Sequence, residues 1–296
     1  MKNIPILLAC SGELGCIVLQ YCYKKETIIA VLTDKKSLAI IDFCEKHKLA
    51  YFAGNARNNA CFNFVQNYRN SILLSVNYLF LFDIQILDLF EYKFNIHGSL
   101  LPKYRGRTPH IWAIINNEKQ AGITIHNIVL ECDAGDILFQ KKVPIKYSDT
   151  GGSVLKKYFY WYPKVIGQFL QLFREGELSS PQKQNERLMT YFGKRTPEDG
   201  KINWNWQRER IYNWVRALTP PYPGAFCYLK DNKVIIRKIV FSHAGFSHYT
   251  LNGTVVSVQN NAFTVKTPNG CIDVTDYTVE DNIPLTQGII LDQTYV

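Results

Sequence analysis

Short apolar runs alternate with amphipathic stretches over the first hundred residues, and this alternation constrains the fold more than any other feature. The strand-like runs are Ile4–Cys10, Thr27–Leu32, Ile72–Val76 and Lys93–His97, and the helical stretches are Leu14–Tyr23 and Ser37–His47. Short apolar strands separated by helices are typical of a parallel sheet covered by helices on both faces. We therefore predict an α/β fold with a doubly wound, Rossmann-like, mostly parallel sheet.

The pattern changes after Pro223-Gly224, where alternating runs are separated by turn-forming residues. These runs are Phe226–Leu229, Val234–Phe241, Gly253–Val258, Ala262–Lys266 and Cys271–Thr275. Such spacing predicts a small C-terminal antiparallel β-barrel of the OB-like type. We expect a catalytic domain over residues 1–178, with a long helix at Gly151–Glu175, a linker with a short helix over 179–222, and the barrel over 223–296.

Composition narrows the classes of function. The 296 residues are 47% hydrophobic and carry a net charge of +9, without a basic block or tail. The diffuse charge favours local phosphate sites over a surface that coats nucleic acid. The turn Ser11–Gly15 lacks the G-x-G-x-x-G spacing of a nicotinamide dehydrogenase, and no Walker A sequence is present. Eight cysteines without a Cys-x-x-Cys pair or an export signal predict reduced thiols, no metal and a cytoplasmic protein.

Asn95 and His97 are the first candidates for chemistry, because ligands bind at the carboxyl ends of parallel strands. The two residues are two apart, so on an extended strand both side chains point to one side. An amide stabilises a developing oxyanion, and an imidazole accepts a proton near pH 7. The alternative is a turn beside a strand, with His97 hydrogen-bonded to backbone.

A second candidate is the Asp133-Ala134-Gly135-Asp136 loop between predicted strands Ile123–Val129 and Ile137–Val143. It is either a tight turn in which Gly135 supplies a positive φ, or a functional loop. In the second interpretation Asp133 holds the tautomer of a histidine.

Basic and aromatic residues form two further candidate groups. Lys103, Arg105 and Arg107 are either a solvated face or a clamp for a diphosphate. Phe192, Lys194 and Arg195 either belong to an exposed linker or stack a base and hold phosphate. Four other histidines have no partner at an informative spacing and are expected to be structural: His110, His126, His243 and His248.

Four stretches together resemble a known family. They are Asn95-Ile96-His97-Gly98-Ser99-Leu100-Leu101-Pro102-Lys103-Tyr104-Arg105-Gly106, Asp133–Asp136, Gly193–Trp204 and Tyr222–Phe226. They are similar to the formyltransferases that use N10-formyltetrahydrofolate, over nearly the whole chain. The resemblance implies formyl transfer to an amine without a metal, with Asn95, His97 and Asp133 as the catalytic residues.

The resemblance also implies binding residues. The folate is expected to contact Ser75, Asn77, Tyr78, Cys132, Ala134, Gly135 and Asp136. The other substrate is expected to contact Gly98, Ser99, Lys103, Tyr104, Arg105, Arg107, Phe192, Lys194 and Arg195.

Within the family, the chain resembles the nucleotide-sugar N-formyltransferases, including the formyltransferase domain that modifies UDP-4-amino-4-deoxyarabinose. Methionyl-tRNA formyltransferases carry a basic insertion after the second strand, whereas Leu32–Ser37 leads directly into a helix here. The decarboxylase domain of the arabinose enzyme is not expected, which implies a stand-alone role. The resemblance also implies a homodimer, and no nucleic-acid or membrane partner is expected. Its acceptor would be a UDP-, dTDP- or GDP-linked amino sugar for lipopolysaccharide O-antigen or a related glycan. The alternatives are methionyl-tRNA as acceptor, or a non-catalytic folate- or nucleotide-binding module.

Overall fold

The computed structural model describes residues 4–259 and 261–292. The strands in this part of the chain are β1 (Ile6–Cys10), β2 (Ile28–Thr33), β3 (Ala50–Ala53), β4 (Ile72–Val76), β5 (Lys93–His97), β6 (Arg105–Gly106), β7 (Gln120–Asn127), β8 (Ile137–Pro144), β9 (Tyr191–Phe192), β10 (Ala225–Leu229), β11 (Asn232–Ser242), β12 (Val255–Gln259), β13 (Ala262–Thr267) and β14 (Gly270–Val279). The helices are α1 (Gly12–Lys25), α2 (Leu38–Lys46), α3 (Asn59–Val65), α4 (Ile84–Leu87), α5 (Pro109–Ile115), α6 (Gly151–Glu175) and α7 (Arg208–Ala217).

A seven-stranded sheet has the strand order β3-β2-β1-β4-β5-β7-β8. Strands β1 to β5 pair in parallel, whereas β7 runs antiparallel to β5 and β8 antiparallel to β7. Every residue of β1 and β4 is buried, which is characteristic of central parallel strands with helices on both faces. The predicted doubly wound, mostly parallel α/β architecture is confirmed.

A second sheet forms the C-terminal part of the chain. Its order is β10-β11-β14-β13-β12, and every pairing is antiparallel. Strands β11 and β14 are longer than predicted, at 11 and 10 residues, and their register shifts around Lys238. Such an irregularity bends a strand while pairing continues on both sides of it. The predicted antiparallel C-terminal architecture is confirmed.

The chain divides into two compact units, and each unit combines three separate stretches of the sequence. The first comprises Met1–Pro109, Gln120–Pro144 and Lys156–Gly193, and the second comprises His110–Lys119, Ile145–Leu155 and Lys194–Val296. The predicted domain boundaries at 178 and 222 stay a prediction. Among the helices of the described residues, none combines the length and the apolar character that crossing a membrane requires.

Strand β5 positions the candidate site because its two faces have different partners. Phe94 and Ile96 are buried, and the Phe94 ring packs edge-on against Phe169 of α6 at 5.1 Å between centroids. Alternation along the strand then directs Asn95 and His97 to the opposite face. The apolar contact of Phe94 thereby fixes which face carries the polar pair.

Candidate active site

His97 is held by protein acceptors at both ring nitrogens. Its Nδ1 lies 3.4 Å from Oδ2 of Asp133, and its Nε2 lies 2.7 Å from the backbone oxygen of Tyr104. The side chain is only 7% exposed. A neutral imidazole donates from one nitrogen and an imidazolium from both, so each N–H of a protonated ring has an acceptor in this site.

The amide of Asn95 is fixed by two partners. Its Nδ2 lies 3.0 Å from Nε2 of His126 and donates to Oδ1 of Asp133 at 3.2 Å. Nδ1 of His126 lies 2.8 Å from the backbone oxygen of Asn127, so Nδ1 donates and Nε2 accepts from the amide. The opposite amide orientation would direct the Asn95 oxygen at a carboxylate, and it is therefore excluded.

His126 is a site residue that the sequence analysis missed, because it was expected to be structural. It lies on β7 directly opposite Asn95 on β5. Its only sequence signal is a place in an alternating strand, two residues after the buried Thr124. The pairing of β5 with β7 depends on tertiary structure, and no local pattern predicts that register.

Asp133 is an ionised carboxylate surrounded by donors. Its Oδ2 accepts from the Gly106 N–H at 2.9 Å and from the Cys132 thiol at 3.3 Å. Burial alone would raise the pKa of this carboxyl. The charge of a protonated His97 and the hydrogen bond from the Gly106 N–H act against burial, so the pKa lies well below its ordinary value.

One prediction about the turn around Asp133 is wrong. Gly135 was expected to supply a positive φ, but the left-handed residue is Asp133, with φ of 55°. Gly135 is required for a different reason, because a Cβ there would lie 1.8 Å from the backbone oxygen of Asn127. The loop thus packs directly onto the end of β7 and leaves Asp133 in a strained backbone conformation.

The predicted folate residues of β4 lie beside β5. Ser75 is buried and pairs in register with Asn95. Asn77 follows the strand with φ of 54°, and its Nδ2 donates to the Ser11 oxygen at 3.0 Å. The Tyr78 hydroxyl donates to the oxygen of Gly54 at 3.0 Å. The other predicted folate residues, Cys132, Ala134, Gly135 and Asp136, belong to the loop that contains Asp133.

The three predicted diphosphate ligands have different environments. Lys103 and Arg107 are exposed, and Arg107 donates to the Leu79 oxygen at 2.7 Å. Arg105 is 1% exposed, and its guanidinium donates to Glu186 and to Gln184. These partners occupy the guanidinium, so the structure places Arg105 in an internal network and not in a phosphate clamp.

Gly98, Ser99 and Tyr104 shape the loop after β5. The Gly98 oxygen accepts from the Tyr158 hydroxyl at 2.6 Å, and a Cβ on Gly98 would lie 2.9 Å from that ring. The Ser99 hydroxyl donates to the Lys103 oxygen at 2.7 Å. Both residues are buried, and these hydrogen bonds hold the backbone of the loop in place. Their contact with the substrate stays a prediction.

Phe192, Lys194 and Arg195 belong to different units. Phe192 stacks on Tyr104 in the first unit, with 5.2 Å between centroids and 14° between planes. In the second unit the Arg195 guanidinium lies over the rings of Trp112 and Trp214, at 4.8 and 4.5 Å. A role of Lys194 and Arg195 in binding a base or phosphate stays a prediction.

Two family matches cover most of the chain. Residues 8–165 match the formyl transferase family, and residues 194–290 match the formyl transferase C-terminal domain. The chain belongs to the formyl transferase family. This formyltransferase is 35% identical over 257 residues to the bifunctional polymyxin resistance protein ArnA of Wigglesworthia glossinidia brevipalpis. The match covers 84% of the chain and 38% of that relative, so the chain spans under half of its length.

Solved structures of similar fold include two sugar-modifying enzymes. WlaRD, a sugar 3N-formyl transferase crystallised with dTDP and 5-N-formyl-THF, is 20% identical with a TM-score of 0.70, covering 96% of this chain and 100% of its own. An N-formyltransferase from Helicobacter canadensis, in complex with folinic acid and dTDP-3-aminofucose, is 19% identical with a TM-score of 0.68, covering 94% and 100%. At these identities the comparison shows a shared fold.

Cys132 is expected to be unreactive in the folded formyltransferase, although it is the one cysteine of the eight that is not fully buried. Burial, together with the charge and hydrogen bond of Asp133, raises the pKa of its thiol to about 12 against the opposing charges of Arg107 and Arg105. Because the thiolate is the nucleophile, alkylation by iodoacetamide at pH 7.5 should be far slower than that of free cysteine. Mass spectrometry of the native protein measures the rate, and rapid single-site labelling of Cys132 would contradict this description of the loop.

Proposed function

We propose that this formyltransferase transfers a formyl group from N10-formyltetrahydrofolate to the amino group of a nucleotide-linked amino sugar. The product is an N-formyl sugar for lipopolysaccharide O-antigen or a related glycan. The observation that carries the proposal is the convergence of Asn95, His97 and Asp133 at the carboxyl end of β5. The sugar acceptor is supported by the solved relatives of the same fold, whose names include sugar formyl transfer.

Exposed apolar side chains adjoin two of the segments proposed to bind the folate. Leu79 and Leu81 are exposed directly after Tyr78, and Val129 and Leu130 are exposed shortly before Cys132. A pterin and its attached benzoyl group are flat and largely apolar, and binding sites for such molecules combine apolar walls with a few polar groups. When bound, the donor supplies an electrophilic formyl carbon on N10, with tetrahydrofolate as the leaving group.

The three side chains have distinct proposed roles. As the sugar amine forms a bond to the formyl carbon, negative charge develops on the formyl oxygen and positive charge on the amine. Asn95 donates an N–H to the formyl oxygen. We assign this role to the N–H that faces Asp133, because the other N–H is held by His126 at the shorter distance. His97, oriented at Nδ1 by Asp133, takes the amine proton on Nε2, and the resulting imidazolium donates to the Asp133 carboxylate and the Tyr104 oxygen. The bond from carbon to N10 then breaks, and N10 takes up the proton that His97 received from the amine.

Recognition of the nucleotide is proposed for the exposed cations. Lys103 and Arg107 lie on the loop that follows the site, at its solvent-facing side. Cations at such positions offer positive charge and N–H donors to the oxygens of a diphosphate. The proposal leaves out Arg105, because its guanidinium is in contact with Glu186 and Gln184.

The proposed function is tested with a panel of acceptors. Tetrahydrofolate release from N10-formyltetrahydrofolate is measured with 3-amino and 4-amino sugars on dTDP, UDP and GDP, in parallel with methionyl-tRNA. The proposal expects turnover with an amino sugar and none with the tRNA. Turnover with the tRNA alone would contradict the sugar acceptor. Donor binding without release for any acceptor would instead favour a binding module.

Asn95→Ala should lower kcat by about 10²–10³-fold, because one oxyanion donor is lost. KM for both substrates should change little, since the interaction is made mainly in the transition state. Steady-state kinetics measure the two parameters separately. Asn67→Ala, an exposed amide in the same unit, serves as the control and should match the wild type. A rise in KM with unchanged kcat would count against the oxyanion role.

A further inference from the structure

Residues 182–192, hereafter the 182–192 segment, contact the candidate site through backbone pairing at both ends. Gln182 and Ile137 exchange two backbone hydrogen bonds of 2.8 Å at the start of β8. At the other end, the Thr190 oxygen accepts from the Arg105 N–H at 2.8 Å. All of these residues belong to the first unit.

Gln184 is buried in the middle of this segment and uses all of its hydrogen-bonding capacity. Its Nε2 donates to the backbone oxygens of Asp133 and Gly135, both at 2.7 Å. Its Oε1 accepts from Nε and Nη2 of Arg105, at 3.1 and 2.8 Å. The side chain is 5% exposed. One amide therefore joins the loop of the proposed catalytic aspartate to the guanidinium of Arg105.

Arg105 is in turn fixed by a second partner. Its Nη1 and Nη2 donate to the two carboxylate oxygens of Glu186, at 3.1 and 2.7 Å. A two-point contact of this kind restricts the direction of a guanidinium as well as its position. The oxygen of the Gln184 amide therefore contacts the fixed guanidinium of Arg105, and its nitrogen holds the backbone of residues 133–135.

Both partners of His97 depend on this arrangement. Asp133, which faces Nδ1, is tied to Gln184 through its backbone oxygen. The backbone of Tyr104, which faces Nε2, is tied to the same segment, because the Tyr104 N–H donates to the Thr190 hydroxyl at 2.8 Å. Asp133 has a positive φ, so its conformation needs support from neighbouring contacts.

We propose that Gln184 is a positioning residue for formyl transfer, which holds the Asp133 backbone where its carboxylate meets His97. The inference rests on the proposed function, in which Asp133 orients the base. It acts through Asp133 and contacts no substrate itself. A site for chemistry must be held to within about half an ångström, and supporting hydrogen bonds of this kind provide that precision.

The first test compares two glutamines of the same segment. Gln184→Met keeps the length of the side chain and removes all four hydrogen bonds, whereas Gln182→Met changes an exposed side chain whose backbone makes the pairing. Gln184→Met should lower kcat by about 10- to 100-fold with KM changed less than about threefold, consistent with a misplaced catalytic group. Gln182→Met should retain wild-type kinetics. An unchanged kcat in Gln184→Met, or an effect on KM alone, would overturn the proposal.

A double-mutant cycle separates positioning from general support of the fold. In an Asp133→Asn background, Gln184→Met should cause little further loss of kcat, because the group through which it acts is already lost. Equal fold-losses of kcat in the two backgrounds would show that Gln184 does not act through Asp133. Single-turnover kinetics measure the rate of formyl transfer in variants that are too slow for steady-state assays.

A substrate-free measurement keeps the proposal testable if no acceptor is turned over. Release of the Asp133 loop should expose Cys132 and separate it from the carboxylate, so Gln184→Met should be alkylated at Cys132 at least tenfold faster than Gln182→Met. Gln184→Glu, which preserves shape and still pairs with Arg105 but cannot donate to the loop, should show the same increase if Gln184→Met does not fold. Equal alkylation rates in a folded Gln184→Glu and in Gln182→Met would overturn the positioning role, independently of the proposed reaction.

Discussion

His97→Ala is expected to lower kcat by about 10²–10⁴-fold, the range typical for loss of a general base. In the structure, no other imidazole contacts both Asp133 and the loop after β5, as far as the described residues extend. His126 contacts the carboxylate but its Nε2 is engaged by the Asn95 amide, so it cannot substitute. Stopped assays of tetrahydrofolate release measure the loss.

His243→Ala is the matched control for that experiment. His243 is exposed in the second unit and makes no contribution to the network around Asp133. The variant should retain wild-type kcat and KM. If His97→Ala also kept near-wild-type turnover, His97 would be excluded as the base.

Asp133→Asn is expected to lower kcat by about 10²-fold or more with a small change in KM, since an amide does not hold the imidazole as a carboxylate does. The substitution is isosteric, but one oxygen becomes an NH₂ group that faces donors. Those donors are the Gly106 N–H and the amide of Asn95. Steady-state kinetics at several pH values measure the effect, and a purely KM-based defect would contradict the orienting role.

The same variant changes the pH dependence of stability. The pKa of Asp133 is lowered in the folded protein, so its ionised carboxylate stabilises the fold above the ordinary value of 3.8. This contribution, on the order of 1–3 kcal/mol, is lost as the pH falls below that value towards the folded-state pKa. The free energy of unfolding, measured with denaturant between pH 6 and pH 3, should fall less with decreasing pH in Asp133→Asn than in the wild type. Identical slopes would exclude a lowered pKa.

Local sequence patterns predict the central strands and the long helix well. The bounds of β4, β5 and α6 are those that apolar periodicity predicts. Strand β3 was missed because Ala50–Ala53 is short, half-exposed and at the edge of the sheet, so it carries no apolar run. Buried central strands have a strong signal, and exposed edge strands do not.

The candidate site was predictable only in part, for a related reason. Asn95 and His97 share a strand face, and alternation alone reveals that pair. The contributions of His126 and Gln184 depend on register and on a long-range hydrogen bond, which no local pattern encodes. Arg105 was misjudged because a basic residue in a loop is usually exposed, whereas here Glu186 and Gln184 allow its burial.

The fate of a ¹³C-labelled formyl group tests the central claim most directly. The wild type is incubated with labelled N10-formyltetrahydrofolate and the most active amino sugar nucleotide, and the products are followed by NMR. We predict a labelled N-formyl amide on the sugar, formed in a one-to-one ratio with tetrahydrofolate and strongly diminished in His97→Ala. Release of tetrahydrofolate with the label appearing as free formate would show hydrolysis and would contradict transfer to a sugar amine.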